Sequence, residues 1–307
     1  MNQSKFSLAL VINLLTAIAI GYVCFLGANF YTLGDKTKSI ILATIITSIL
    51  IGTSVGAKLL KKTKRNCKIC FIWEIVLIIS FTVLTACITY FPFSHYFVVS
   101  AQKQAIQSKL KDNISQAENM YNEYDTYFTS RYSLYSRNLN DAIDQRKGKP
   151  KQFNDYGFDE NNGVIFERQM QFKQNTLKGL LYPSNFKKIK TNDSIWLNKA
   201  RISIDNWEPI SLMKIINEVE VNTNKSLIQL INISENKAQN ELYPPFKPSN
   251  LTFKDVKKYF ITIGSPSPFS IMIAIIGYVL MLLSWYITKR DSRCTGALTT
   301  ADYEVVL

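Results

Sequence analysis

The chain has 307 residues, a formal net charge of +13 and a mean hydropathy of zero. That zero averages several strongly apolar segments with a polar middle section rich in Asn, Lys, Gln and Tyr, which excludes a wholly soluble globular protein. None of the five cysteines lies between residues 94 and 260, so the polar section is not a small domain held together by disulfides.

Four apolar segments are each long enough to cross the roughly 30 Å hydrocarbon layer of a membrane, which takes about 20 helical residues. In chain order they run from Phe6 to Tyr31, Ser39 to Leu60, Ile69 to Phe93 and Ile261 to Ile287. We therefore predict an all-α membrane protein with four transmembrane helices in contact with the lipid bilayer. A large, mainly helical insertion separates the third helix from the fourth.

Basic residues near the crossings predict the orientation, because Lys and Arg there are retained on the cytoplasmic side. They are Lys58, Lys61, Lys62, Lys64, Arg65 and Lys68 between the second and third segments, Lys5 before the first, and Lys289, Arg290 and Arg293 after the fourth. This pattern places both termini and loop 58–68 in the cytoplasm, and the insertion on the extracytoplasmic side of a cell inner (plasma) membrane. The predicted organisation is 1–93 with three crossings, 94–260 extracytoplasmic, 261–288 as the fourth crossing and 289–307 as a cytoplasmic tail.

Small residues recur at four-residue spacing in the first two segments. They are Ala17 and Gly21 in the first, and Ser48, Gly52 and Gly56 in the second. This spacing forms a shallow helical face on which the backbones of membrane helices approach closely. Two interpretations stay open: packing of the second segment against the first within one chain, or contact between copies in an oligomer.

Glu74 is the one carboxylate within the four apolar segments. If the crossing begins at Ile75, Trp73 and Glu74 lie at headgroup level as an aromatic and polar anchor. The alternative is a paired or gating carboxylate inside the membrane, where burying a charge is costly and usually serves a function.

The insertion begins with a long helical pattern. No proline or glycine occurs between Pro92 and Gly148, and apolar residues recur at helical spacing throughout. We predict that the third segment continues outward as one long helix. A second helix, starting at Pro209 and stopped by Pro244, returns antiparallel to it, which gives a helical hairpin stalk packed like a coiled coil.

A small mixed head, about 148–207, is predicted between the two stalk helices. The runs 163–166 and 201–204 have strand character. After the stalk, a third helix is expected over 252–260 with Ser249 or Asn250 as its cap.

Aromatic and basic residues on the first stalk helix form a candidate binding stripe. Its members are Tyr121, Tyr124, Arg131, Tyr132 and Tyr135. Amphipathic aromatics and Arg are enriched at protein interfaces, so the stripe is one candidate site for a protein partner. The same residues also suit a seam between packed helices, and both interpretations stay open.

Residues for catalysis or metal binding do not assemble into a recognisable pattern. Cys67, Cys70 and Cys294 offer three thiols where tetrahedral zinc takes four ligands, and the single histidine, His95, falls on the opposite side of the membrane. The cysteine pair is interpreted as reduced and His95 as a solvated interfacial residue. The chain has no Walker loop or dinucleotide fingerprint, so we predict no cofactor and no metal.

These features favour a non-enzymatic membrane scaffold or sensor subunit. Its extracytoplasmic helical domain is expected to bind an envelope protein partner or to self-associate. The alternative, motivated by the small-residue face and Glu74, is an oligomeric channel or transport subunit. Nucleic acid is excluded as a partner because the insertion faces outward and is only mildly basic.

Overall fold

The computed structural model describes residues 8–64, 66–161, 163–249, 251–290 and 294–295. All regular structure in these ranges is helical. The described residues form two compact units. The first contains those up to Ile106 together with those from Val256 onward, and the second spans Gln107–Asp255. The side of the membrane on which either unit lies stays a prediction.

Among the described residues, four helices are long and apolar enough to cross a membrane, as predicted. They are α1 (Leu8–Tyr31), α2 (Lys36–Lys62), the stretch Cys67–Ala101, whose first part is α3 (Cys67–Ile88), and, last in the chain, α11 (Pro268–Ile287). The fourth begins seven residues later than predicted, because Ser267 caps it by accepting a hydrogen bond from the Ser270 amide (3.1 Å) and Pro268 occupies its first turn. Lys5, Phe6, Arg65, Arg293 and the final segment 296–307 lie outside the described residues.

Helix α1 is central to the first unit. It packs on both α2 and α11, and α2 packs on α3, while the backbones of α3 and α11 approach each other at few points and are joined mainly by side chains. Asn13 joins three of these helices, because its buried side-chain amide donates to Ser54 Oγ (3.0 Å) and to the Met281 carbonyl. Such polar contacts stabilise helix association where lipid removes the hydrophobic driving force.

The third crossing does not continue outward as one unbroken helix. After α3, a π-helical turn over Thr89–Phe93 contains the cis Phe91–Pro92 bond, and then come α4 (Ser94–Ala101) and the 42-residue α5 (Lys103–Asp144). Pro92 has no N–H to donate, and its ring displaces the carbonyl one turn earlier, so the regular hydrogen-bond ladder is interrupted there. The prediction of a continuous helix is wrong, although its longest part is confirmed as α5.

The second unit is a bundle around α5. Its other helices are α6 (Pro150–Asp155), α7 (Phe166–Leu181), α8 (Ser184–Asp205) and α9 (Pro209–Ser234), and α10 (Lys257–Ile261) follows in the first unit. Helices α7 and α8 run antiparallel to α5. The hydroxyl of Tyr124 donates to the carbonyl of Leu181 (2.9 Å), whereas the earlier Gln107 donates to the later Ile204 carbonyl (2.6 Å).

Helix α9 runs parallel to α5, so the predicted antiparallel return by this helix is wrong. Leu230 packs with Tyr124, and further along both helices the Ser234 carbonyl accepts from Arg131. The return is already made by α7 and α8, which leaves α9 to run in the same direction as α5. It begins at Pro209 as predicted.

The strand predictions are also wrong. Phe166 opens α7, and residues 201–204 form the last turn of α8. In the second run Ile204 is fully buried while Ile202 is exposed. A strand would place these two side chains on the same face, whereas a helix points them in different directions. Such short apolar runs follow their tertiary surroundings, and here these are helical.

An extended segment, 241–249 and 251–255, runs back along α5 and replaces most of the third helix predicted over 252–260. The side-chain amide of Gln116 pairs with both the N–H and the C=O of Thr252 (2.8 and 3.0 Å). Asn113 does the same for Lys254 (2.8 and 3.1 Å). These side-chain amides bind backbone N–H and C=O groups that would otherwise form helical hydrogen bonds. The helix therefore begins only at Lys257.

Candidate functional site

Glu74 lies near the start of α3 and is only 2% exposed. Trp285 Nε1 donates to one carboxylate oxygen (2.9 Å), and Arg290 Nη2 donates to the other (2.5 Å). The guanidinium also lies 4.9 Å from the Phe71 ring centroid. The structure therefore describes Glu74 as a paired carboxylate with both oxygens satisfied, and a gating role stays a prediction.

Further contacts surround this ion pair and hold the end of α11 against α2 and α3. Lys61 Nζ donates to the Trp285 carbonyl (2.9 Å) and lies 4.2 Å from the centre of its ring. Cys67 is bonded to Cys294, which corrects the interpretation of Cys67 and Cys70 as a reduced pair. The two bonded cysteines are 227 positions apart, so no local pattern indicated their contact. We call Lys61, Glu74, Trp285 and Arg290 the polar clasp.

The small residues of α1 and α2 fall into two groups, those packed against a neighbouring helix and those on the open surface. Ala17 is fully buried, and a Cβ at Gly21 would collide with Thr47 Oγ1, so both positions serve the contact of α1 with α2. A Cβ at Gly56 would lie 3.1 Å from Leu77 Cδ1. By contrast, Ser48 is exposed, and a Cβ at Gly52 would meet nothing within 4 Å.

Alanine at Gly21 is expected to destabilise the first unit by about 1–3 kcal/mol, because Thr47 Oγ1 is fixed by its bond to the Ala43 carbonyl (2.8 Å) and cannot move freely. The matched change Gly52→Ala should be neutral or slightly stabilising, since alanine favours helix. Thermal unfolding of the two variants in the same detergent measures the difference. Equal midpoints would mean that Gly21 is not at a close helix crossing.

His95 is buried, not solvated as predicted. Its Nε2 lies 2.7 Å from the Phe260 carbonyl, and its ring packs against Tyr31 and Phe91 at centroid distances of 5.9 and 5.8 Å. The residue therefore joins α4 to α1 and α10 within the first unit.

The tyrosine stripe on α5 lies inside the bundle. Tyr121, Tyr124 and Tyr135 are buried, and Tyr132 packs against the cluster that α5 forms with α6 and α7. Burial raises the pKa of Tyr121 and Tyr124, and raises that of Tyr135 to about 12, so all three are neutral donors at physiological pH. These tyrosines therefore form a seam between packed helices, which is one of the two interpretations of the sequence pattern. Partner binding through these rings stays a prediction.

Arg131, the fifth member of the stripe, is fully buried and uses every donor that it has. Its fork binds both oxygens of Glu241 (2.5 and 2.8 Å). The remaining N–H groups reach the carbonyls of Ser234 and Asn236 (2.6 and 2.5 Å) and the Tyr127 hydroxyl (2.7 Å). Burial alone lowers the pKa of Arg131, but the bonds to Glu241 raise it overall. Arg131 thus satisfies the last carbonyls of α9 and fixes where that helix ends.

An exposed apolar patch lies at the start of α7. It consists of Val164, Ile165 and Phe172, which are 44%, 60% and 72% exposed. Val164 and Ile165 immediately precede α7, and Phe172 lies in its second turn. The sequence pattern did not reveal the patch, because residues 163–166 were interpreted as a strand.

A buried glutamine holds the patch in place. Gln169 Nε2 donates to the carbonyls of Val164 and Asp159 (2.8 Å each), and its Oε1 accepts from the Asp159 amide (3.1 Å). One side chain therefore anchors the backbone at both Asp159 and Val164. A surface ordered in this way loses little conformational entropy when it binds.

Among the described residues, no group of three or more His, Cys, Asp or Glu side chains is placed to hold a metal ion. No family model, curated protein or solved structure matches the chain. The geometry of the apolar patch and of the polar clasp is therefore the basis for assigning a function.

Proposed function

We propose that the protein is a non-enzymatic scaffold or sensor subunit of a cell inner membrane, and that its second unit lies on the extracytoplasmic side and binds a protein partner there through the apolar patch. The observation that carries the proposal is the exposure of three large apolar side chains, Val164 and Ile165 just before α7 and Phe172 in its second turn. Adjacent exposed apolar side chains mark interaction surfaces, because covering them removes apolar area from water at about 25 cal/mol per Å².

The polar groups of the second unit support a structural role for this bundle. Asp193 accepts from the Tyr121 hydroxyl and from Ser226 Oγ (2.6 Å), which links α5, α8 and α9. Asp125 likewise accepts from Tyr182 and Lys190. These carboxylates are occupied in contacts that hold helices together.

The test places a photoreactive amino acid at Thr176, which is exposed one turn after Phe172. In native membranes we expect a discrete adduct with another protein. Phe172→Glu should reduce its yield at least about tenfold, because burying an unpaired charge opposes binding and aromatic anchors dominate interface energies.

The matched control is Ile195→Glu, which changes an exposed apolar residue on α8 to the same charge. This variant should leave the adduct within about twofold of the parent protein. An adduct that both variants weaken equally, or that neither affects, would count against the patch as the binding surface.

A second candidate is an oligomeric channel or transport subunit, and the open face at Ser48 and Gly52 favours it, since small residues promote close association of membrane helices. The channel candidate predicts ion conductance when the protein is reconstituted into bilayers, and loss of that conductance in the Glu74→Gln variant. A monomeric, ion-tight protein would reject this candidate and leave the scaffold proposal untouched.

A further inference from the structure

A groove of about 430 Å³ opens between α3 and α11. Its walls include Thr82, Thr85 and Ala86 on one side, and Ile271, Ala274 and Tyr278 on the other. The groove exists because the backbones of these two helices approach each other at few points and small residues occur on both walls. Both walls belong to helices that are apolar enough to cross a membrane, so the groove opens towards hydrocarbon.

The threonines do not make the groove polar. Thr82 Oγ1 donates to the Ile78 carbonyl (2.9 Å), and Thr85 Oγ1 donates to the Phe81 carbonyl (2.8 Å), as hydroxyls in membrane helices commonly do. The Tyr278 hydroxyl lies 3.0 Å from Thr82 Oγ1 and joins the two walls at one end of the groove. With these hydroxyls satisfied within the protein, the groove offers an occupant mainly apolar contacts.

The chemistry of the groove favours a lipid chain as its occupant. Its lining is mainly apolar, its threonine hydroxyls bind their own backbone, and its walls belong to helices that are apolar enough to cross a membrane. The wall from Thr82 to Tyr90 is about 12 Å long at 1.5 Å per residue. A hydrocarbon chain is only about 4–5 Å wide, since its carbons approach neighbouring atoms to about 3.5–4 Å, so it can lie along this wall.

We propose that this groove is a binding site for one acyl chain of a bilayer phospholipid. Tyr90 and Pro266 lie at the end opposite the Thr82–Tyr278 contact. Tyrosine prefers the level of the lipid headgroups, so the chain enters past Tyr90 with its headgroup in the leaflet away from loop 58–68. The bound lipid fills the gap between α3 and α11.

The experiment uses the full chain in nanodiscs that contain a phosphatidylcholine with a diazirine in the middle of one acyl chain. After illumination, mass spectrometry locates the adducts. We expect labelling concentrated on the groove-lining positions of α3 and α11, approaching one lipid per chain. Adducts spread evenly over the exposed faces of α1, α2, α3 and α11 would show ordinary boundary lipid only and would overturn the proposal.

Ala86→Phe fills the groove from an exposed wall position, and Val83→Phe adds bulk to an exposed position of α3 that does not line it. The first variant should reduce groove labelling at least about fivefold, and the second should leave it within about twofold. If Ala86→Phe lowers the yield of folded protein, Ala86→Leu takes its place and should reduce labelling by a smaller factor.

A photoreactive residue at Tyr90 tests the competing occupant. Crosslinking to lipid supports the proposal, whereas crosslinking to a second copy of the chain would mean that a protein helix occupies the groove and would overturn the proposal. These outcomes do not depend on the apolar patch of the second unit, so either inference can fail alone.

Discussion

Replacing Arg131 by methionine is expected to destabilise the second unit by about 3–5 kcal/mol, because Glu241 is left buried without its counter-charge. The carbonyls of Ser234 and Asn236 also lose their donors, which adds the cost of unsatisfied buried groups. Hydrogen exchange of the full chain in detergent measures the effect. Protection should fall first in peptides that cover the end of α9 and residues 236–246.

The matched control is Arg137→Met, which removes an exposed arginine from the same helix. Its effect should stay within about 0.5 kcal/mol, as for most surface changes. The double variant Arg131→Met, Glu241→Leu should recover at least about 1 kcal/mol relative to Arg131→Met alone, since no buried charge remains unpaired. If the two single arginine variants are equally stable, Arg131 does not hold the end of α9.

Replacing Arg290 by glutamine is expected to destabilise the first unit by about 2–4 kcal/mol. Glu74 then keeps only the Trp285 hydrogen bond around a carboxylate that is 2% exposed. The adjacent change Lys289→Gln removes the same charge from an exposed side chain and should have little effect. Thermal unfolding in one detergent, followed by tryptophan fluorescence, compares the variants.

The destabilisation caused by Glu74→Gln should be smaller than that of Arg290→Gln and larger than that of Lys289→Gln. Arg290 is 17% exposed and can reorient its guanidinium towards water, so it tolerates loss of its partner better than Glu74 does. The expected order of destabilisation is Arg290→Gln, then Glu74→Gln, then Lys289→Gln. Equal effects of the Arg290 and Lys289 changes would mean that the polar clasp contributes nothing beyond surface charge.

Local patterns predicted the positions of most helices. The four crossings follow from runs of apolar residues, and α5 follows from helical spacing that continues without proline or glycine. The errors occur where a single residue changes the local geometry. Pro92 interrupts the third crossing, and Pro268 begins the fourth seven residues later than the apolar run suggests.

The candidate sites were less predictable, since their partners are far apart in the chain. Glu74 stands out as an intramembrane carboxylate, but nothing near it indicates that Arg290 compensates its charge. Tyr124 and Arg131 have the composition of a binding stripe, and only their packing shows that they are interior. The exposure of Phe172 could not be recognised, because the sequence around a single phenylalanine does not indicate which face of its helix is buried.

The sequence by itself determined which segments are apolar enough to cross a membrane and where α5 and the start of α9 lie, because these properties depend on side chains within a turn or a membrane thickness of each other. Helices α7 and α8, in the predicted mixed head, did not follow from local patterns. Only the tertiary structure decided that α9 runs parallel to α5, that residues 251–255 stay extended, and which charges pair inside each unit. Those outcomes depend on contacts between residues more than 100 positions apart. Asn113 binds a backbone group of Lys254 that a helix would otherwise use, and Arg131 supplies the counter-charge of the buried Glu241.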